Sequence, residues 1–165
     1  METDDIRVRW VAAHDAAELE RFYAELSSDS RALRFQHGCR GISDAQAECF
    51  ATADHHLRDG FVAVAGDRIV GHLVLEPAGS ATEELAVAVD DRLQHHGVGT
   101  LLLAAAMASA RLRGIKRLIA WVLPENRSMR HLLAAARHPM RMRWEDTVLR
   151  YELDVDRTAA RPVAA

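Results

Sequence analysis

The stretch Glu84-Leu85-Ala86-Val87-Ala88-Val89-Asp90-Asp91-Arg92-Leu93-Gln94-His95-His96-Gly97-Val98-Gly99-Thr100 decides the fold. Glu84 to Val89 reads as a strand. It runs into a turn with two glycines, and the turn opens a helical run, Gly97 to Arg113, rich in Ala and Leu and ended by Gly114. Unpaired N–H groups at a helix start point along the axis, and the helix dipole adds partial positive charge there. Gly97 and Gly99 let the backbone approach a diphosphate with no Cβ in the way. The pattern predicts an anion site made mainly of main chain, although two glycines also suit a plain strand–loop–helix connection. A dinucleotide fingerprint needs a third glycine where Leu102 stands, and a P-loop needs Gly-Lys-Ser/Thr, which is missing.

Upstream, Ile6 to Val11 alternates as a half-buried strand. Asp15 is placed to cap a helix from Ala16 to about Leu26, with Leu19, Phe22, Tyr23 and Leu26 on one face. Ser27-Ser28-Asp29-Ser30 breaks it, and Ser43 caps a second helix, Asp44 to about Ala51. Phe61 to Ala65 and Ile69 to Leu75 form a hairpin through Gly66-Asp67-Arg68, and Pro77 to Ser80 is a turn. Downstream, Arg117 to Leu123 is a strand, Asn126 to Ala136 a helix that Pro139 cannot continue, and Thr147 to Leu153 a last strand. The order is strand, two helices, three strands, helix, strand, helix, strand. That is a mixed α/β domain, since a doubly wound parallel sheet would need helices between the early strands.

A chain of 165 residues, 49% hydrophobic and 27% charged, suits one globular domain, read as 1–156 with a frayed tail at 157–165. The formal net charge of -3 argues against gripping nucleic acid. Cys39 and Cys49 form no C-x-x-C pair and imply no disulfide framework. The acidic Met1 to Ile6 segment has no apolar run, and Val98 to Ala110 is too short to span a bilayer. The expectation is a cytoplasmic protein without membrane contact. Oligomeric state is not readable.

Three segments carry a resemblance. Gln94-x-x-Gly97-x-Gly99 matches the Arg/Gln-x-x-Gly-x-Gly/Ala signature of GNAT acetyltransferases (GCN5-related N-acetyltransferases). Val87-Ala88-Val89-Asp90 resembles their pantetheine-binding strand, and Val122 to Leu133 resembles their second acyl-CoA segment. The resemblance implies the GNAT fold, a mixed central sheet flanked by helices that splays open near these strands. It implies acetyl-CoA or a similar acyl-CoA as donor, with no metal. Main-chain groups of Ala86, Val87, Ala88 and Val89 would pair with the pantetheine arm. Gln94, His95, His96, Gly97, Val98, Gly99 and Thr100 would hold the pyrophosphate, and Asn126 the arm beyond it. His95 and His96 stand where relatives often carry Gly, Arg or Lys, which lowers the positive charge and makes affinity pH-sensitive. They could also suggest metal, but no cysteine is nearby. The tyrosine that many GNAT enzymes use as general acid is not apparent.

Phe22-Tyr23-Ala24-Glu25-Leu26-Ser27-Ser28-Asp29-Ser30-Arg31-Ala32-Leu33-Arg34-Phe35 is similar to the GNAT domains of bacterial protein lysine acetyltransferases that act on acyl-CoA synthetases. It also suits plain architecture: an amphipathic helix, a polar turn and two arginines pairing with acids. The resemblance implies a lysine of an acyl-CoA synthetase as acceptor, and Glu84 as general base. A lysine ammonium has a pKa near 10.4, so freeing the amine at neutral pH costs about 4–5 kcal/mol. A carboxylate in reach removes that proton. Glu83 is the rival base and should point the opposite way on the strand. Direct transfer is expected, with a strand N–H such as that of Val87 at the oxyanion. Cys39 and Cys49 are poor nucleophile candidates.

His55 and His56 are read as facing water, and His72 as structural rather than part of a substrate groove. Trp10, Trp121 and Trp144 are read as core. Arg111, Arg113, Lys116 and Arg117 are read as complementing a helix end and as solvated. Two other functions remain open: a small-molecule amine N-acetyltransferase, and a non-catalytic acyl-CoA sensor.

Overall fold

A computed structural model describes residues 6–36 and 38–156; the expected frayed tail, 157–165, lies outside the described residues. The alternating Ile6–Trp10 segment forms edge strand β1, antiparallel to β2 (Asp59–Ala65). Three helices lie between them where the sequence reading has two: α1 (Ala16–Glu25), α2 (Ser28–Phe35) and α3 (Asp44–Ala51). The extra helix, α2, starts inside the serine run read as a breaker. Ser27 does both jobs: its extended backbone follows the end of α1, and its hydroxyl accepts a hydrogen bond from the Ser30 N–H, capping a new helix. Asp15 does not cap α1 with its side chain. Its carboxylate takes the Arg9 guanidinium through two 2.7 Å bonds and the Ala12 N–H at 2.8 Å.

β3 (Arg68–Gly79) follows β2 through a tight turn with Gly66 at φ +59. It continues past Pro77, which reads as a turn, because a bulge between Pro77 and Gly79 absorbs the missing donor; the chain reverses at Ser80 and Ala81 instead. Then come β4 (Thr82–Val89), α4 (Val98–Leu112), β5 (Arg117–Val122), α5 (Arg127–Ala135), β6 (Met140–Glu145) and β7 (Val148–Asp154). β6 is absent from the sequence reading. It is an edge strand with no buried residue, so Trp144 is 62% exposed rather than core; Trp10, on the other edge, is 46% exposed.

The described strands form one mixed sheet in the order β1-β2-β3-β4-β5-β7-β6, the mixed α/β class that the element pattern predicts. On one face Leu73, Leu85, Leu118 and Leu153 pack with Val98, Leu102, Ala106 and Ala110 of α4. On the other, Val62, Ile69 and Ala88 pack with Leu19, Phe22 and Tyr23 of α1 and Ala47 and Ala51 of α3. Each buried leucine-sized side chain is worth about 1.5–3 kcal/mol, so these two layers hold the sheet between its helices. No helix among the described residues is long and apolar enough to cross a membrane.

Candidate active site

β4 and β5 pair in parallel over three residues only: Thr82 with Arg117, Glu83 with Leu118 and Glu84 with Ile119. Beyond Glu84 the two strands part, and the β4 edge from Leu85 to Val89 has no strand partner on that side. A cavity of about 310 Å³ opens there. Val87, Ala88 and Val89 of β4 line it, with Gln94, His95 and Gly97 of the turn and Gly99 and Thr100 of α4. Asn126 and Met129 close it from α5, and Ser30, Leu33 and Arg34 from α2.

The turn is built for an open helix end. Gly97 is the N-cap of α4 at φ +87, and a Cβ there would meet nothing, so the glycine is needed for its backbone conformation. No side chain caps α4, which leaves its first N–H groups to a ligand. Gly99 has a different reason: a Cβ there would lie 3.2 Å from Leu132 Cδ2, so this glycine lets α4 approach α5. The Gln94 side chain turns inward and donates to Ser30 Oγ at 3.1 Å, tying the turn to α2. His96 Nδ1 lies 2.7 Å from the Gln94 carbonyl, and His95 Nε2 lies 3.4 Å from Ser128 Oγ. Asn126 Oδ1 accepts from the Met129 N–H at 3.0 Å and caps α5. Ala86, His96 and Val98, assigned to the donor by resemblance, do not line the cavity, and the Val98 side chain is 1% exposed in the core. The other donor residues do line it. The α2 wall is missing from the sequence reading because α2 itself is.

The two candidate bases are separated by the strand pleat. Glu83 is 2% exposed, under the C-terminal end of α4. Arg113 grips its carboxylate with bonds of 2.5 and 2.7 Å and also lies 2.9 Å from the fully buried Asp59, which accepts the Ser109 hydroxyl. Arg113 is thus part of a buried ion cluster rather than a solvated helix end. Glu84 is exposed on the opposite face, at the last paired position before the strands part; it does not itself line the cavity. Among the described residues its carboxylate makes no hydrogen bond or ion pair.

Other polar residues find specific places. His72 is fully buried, with Nδ1 2.9 Å from Tyr23 Oη and Nε2 without a partner among the described residues. Burial pushes its pKa down to about 3, so the ring is neutral. His55 does not simply face water: its ring lies 4.0 Å from that of Trp10, and its Nε2 3.3 Å from the Val11 carbonyl oxygen. Arg31 and Arg34 do not pair with acids. Arg31 donates to the carbonyls of Cys39, Ala24 and Leu26, and Arg34 lines the cavity. No cluster of three or more His, Cys, Asp or Glu placed to hold a metal occurs among the described residues.

Against known proteins, the model of the Acetyltransferase (GNAT) family matches residues 11–137. The crystal structure of the GNAT domain of S. lividans PAT is 31% identical with a TM-score of 0.84, covering 90% of each chain. A cAMP-binding acyltransferase from Mycobacterium smegmatis is 24% identical with a TM-score of 0.61, over 91% of this chain and 44% of that one. The yncA protein of Salmonella typhimurium, solved with its cofactor acetyl-CoA, is 18% identical with a TM-score of 0.73, over 98% of this chain and all of that one. The uncapped start of α4, the parted strands β4 and β5 and the family match agree: the chain belongs to the GNAT acetyltransferase family.

Proposed function

We propose that the chain moves an acetyl or other short acyl group from acyl-CoA to the side-chain amine of a protein lysine. The observation that carries this reading is the joining of two features in one cavity: the uncapped N-terminus of α4, and the β4 edge left free where β5 departs. The first suits a diphosphate. The second suits an amide-bearing arm, which can add to a strand edge as another strand would. A cavity of about 310 Å³ is at the low end of the usual range for small-molecule clefts, roughly 300–1,000 Å³. The Salmonella relative, with its acetyl-CoA, supports the same donor.

In this reading Val87, Ala88 and Val89 hold the arm, the turn and first residues of α4 hold the diphosphate, and Asn126 stands beside the arm. Glu84 takes the ammonium proton, directly or through one water; with no other partner among the described residues, its carboxylate is available. The free amine attacks the thioester carbonyl, and the Val87 N–H steadies the oxyanion. Cys39 and Cys49 lie outside the cavity lining, in keeping with direct transfer. Similarity to the GNAT domain of the S. lividans protein acetyltransferase supports a protein acceptor, with acyl-CoA synthetases as first candidates.

The test is a mass-spectrometric screen for new acyl-lysines on candidate proteins, run with several acyl-CoAs. Acylated lysine on an acyl-CoA synthetase is the expected result. Efficient acetylation of polyamines or aminoglycosides with no protein lysine modified would remove the protein acceptor and keep the transferase. Binding of acetyl-CoA without turnover on any amine would favour a sensor.

A further inference from the structure

The proposed transfer leaves an anion behind. Glu84 has taken the first proton of the ammonium; as the C–N bond forms and the C–S bond breaks, the second proton leaves the new amide nitrogen for water, and the electron pair of the C–S bond departs on the CoA sulfur. A departing thiolate is helped by an acid or by a fixed positive charge. The two tyrosines of the chain do not offer the acid: Tyr23 is 0% and Tyr151 6% exposed, each in a core cluster, and neither lines the cavity.

Among the described residues one Arg or Lys side chain lines the cavity, Arg34 of α2. It forms no ion pair with a carboxylate among the described residues, and its Nε is buried without a partner. Its neighbours are neutral: the Tyr23 hydroxyl, the Phe35 ring 4.9 Å from its Cζ, and His72 behind Tyr23. A guanidinium with neutral partners keeps its field for an incoming anion.

Its place along the cavity matters as well. α2 spans the opening from β4 to β5. Ser30 Oγ donates to Asp91 at 2.6 Å, just past the end of β4, and Gln36 Nε2 donates to the Trp121 carbonyl of β5 at 3.3 Å. Arg34 lies between these anchors, on the sheet face that holds Tyr23 and Ala88. α4, whose N-terminus offers the diphosphate site, packs on the opposite face. The charge therefore stands across the parted strands from the diphosphate site.

We infer that Arg34 stabilises the departing CoA thiolate, filling the role for which no tyrosine is placed. This rests on the acyl-CoA reading above. The test needs neither acceptor nor turnover: the thiol of bound CoA is titrated by its thiolate absorbance in the parent, Arg34→Met, Arg34→Lys and His131→Gln. His131 is included because it and His95 are the other titratable cationic side chains on the cavity wall. In the parent, bound CoA should ionise at least about one pH unit below free CoA. Arg34→Met should abolish that shift while still binding CoA, and Arg34→Lys should keep part of it. Bound CoA that ionises as free CoA does in the parent overturns the inference and leaves the acyl-CoA reading standing. So does a shift that survives Arg34→Met and vanishes in His131→Gln. Affinity for CoA lost in Arg34→Met and also in Arg34→Lys, so that neither can be titrated, makes Arg34 a phosphate ligand and overturns it too. A parent that binds no CoA defeats both.

Discussion

Glu83 and Glu84 are neighbours on β4 and face opposite sides of the sheet. On one side, Glu83 meets the C-terminal end of α4, where Arg113, Asp59 and Ser109 lock it into a buried ion cluster. On the other, Glu84 meets no partner among the described residues, at the point where β5 leaves β4. The residue type is the same, and what differs is the neighbour that each face supplies. One face spends its charges on closing the fold. The other keeps two charges uncommitted, Glu84 at the end of the β4–β5 pairing and Arg34 on the cavity wall.

The largest expected effect is on the open side. Glu84→Gln keeps shape and removes the proton acceptor, so turnover should fall about 10²–10⁴-fold, with acetyl-CoA affinity by calorimetry nearly intact. Thermal stability should hardly move, as for most surface changes. On the closed side the pattern should invert. Glu83→Ala strands Arg113 in a buried site; breaking such a pair typically costs about 3–5 kcal/mol, and the lower end applies here because Asp59 remains as a partner. Urea unfolding should register that loss, while turnover per folded molecule stays near the parent. A Glu83→Ala protein of parental stability would erase the contrast.

His72 gives the comparison a pH axis. Burial lowers its pKa from 6.5 to about 3, so between those values the unfolded chain binds the extra proton and the folded chain does not. Stability should therefore fall as pH drops below about 6.5, on top of any contribution from acids. Substituting His72→Phe should flatten the urea-measured stability profile in that window; an unchanged profile would show that His72 does not titrate as its burial implies. The smallest effect belongs to the turn. Gly97→Ala forces a side chain into a left-handed conformation, at about 1–2 kcal/mol, and should loosen acyl-CoA binding with little change in turnover at saturation. Gly99→Val should act through Leu132 and weaken binding by spreading α4 from α5.

What the sequence made legible was local. β4, the turn and α4 are contiguous, and their alternation, glycines and Ala/Leu run act over a few residues each. α2 was hidden because a serine that ends one helix and caps the next looks like a breaker, and its short polar turns bury no residue completely. β6 was hidden because it buries none of its residues and is held by its ladder with β7, so no inside-outside contrast marks it. In the candidate site, the residues assigned to the donor follow one another in the chain. The α2 wall reaches them from 64 positions away through the Gln94–Ser30 bond, and Arg113 reaches Glu83 from 30 positions away. Contacts at that range leave no periodic trace.

The role of Glu84 is tested by the pH–rate profile of kcat/KM for acetyl transfer to a lysine-bearing acceptor, measured for the parent, Glu84→Gln and Glu83→Gln. The parent should work near neutral pH, and Glu83→Gln should keep its profile wherever it stays folded. Glu84→Gln should be depressed at neutral pH and climb toward the parent as pH nears about 10, where solvent supplies the free amine. A Glu84→Gln protein that follows the parent across the whole range, with Glu83→Gln folded but inactive, would contradict it.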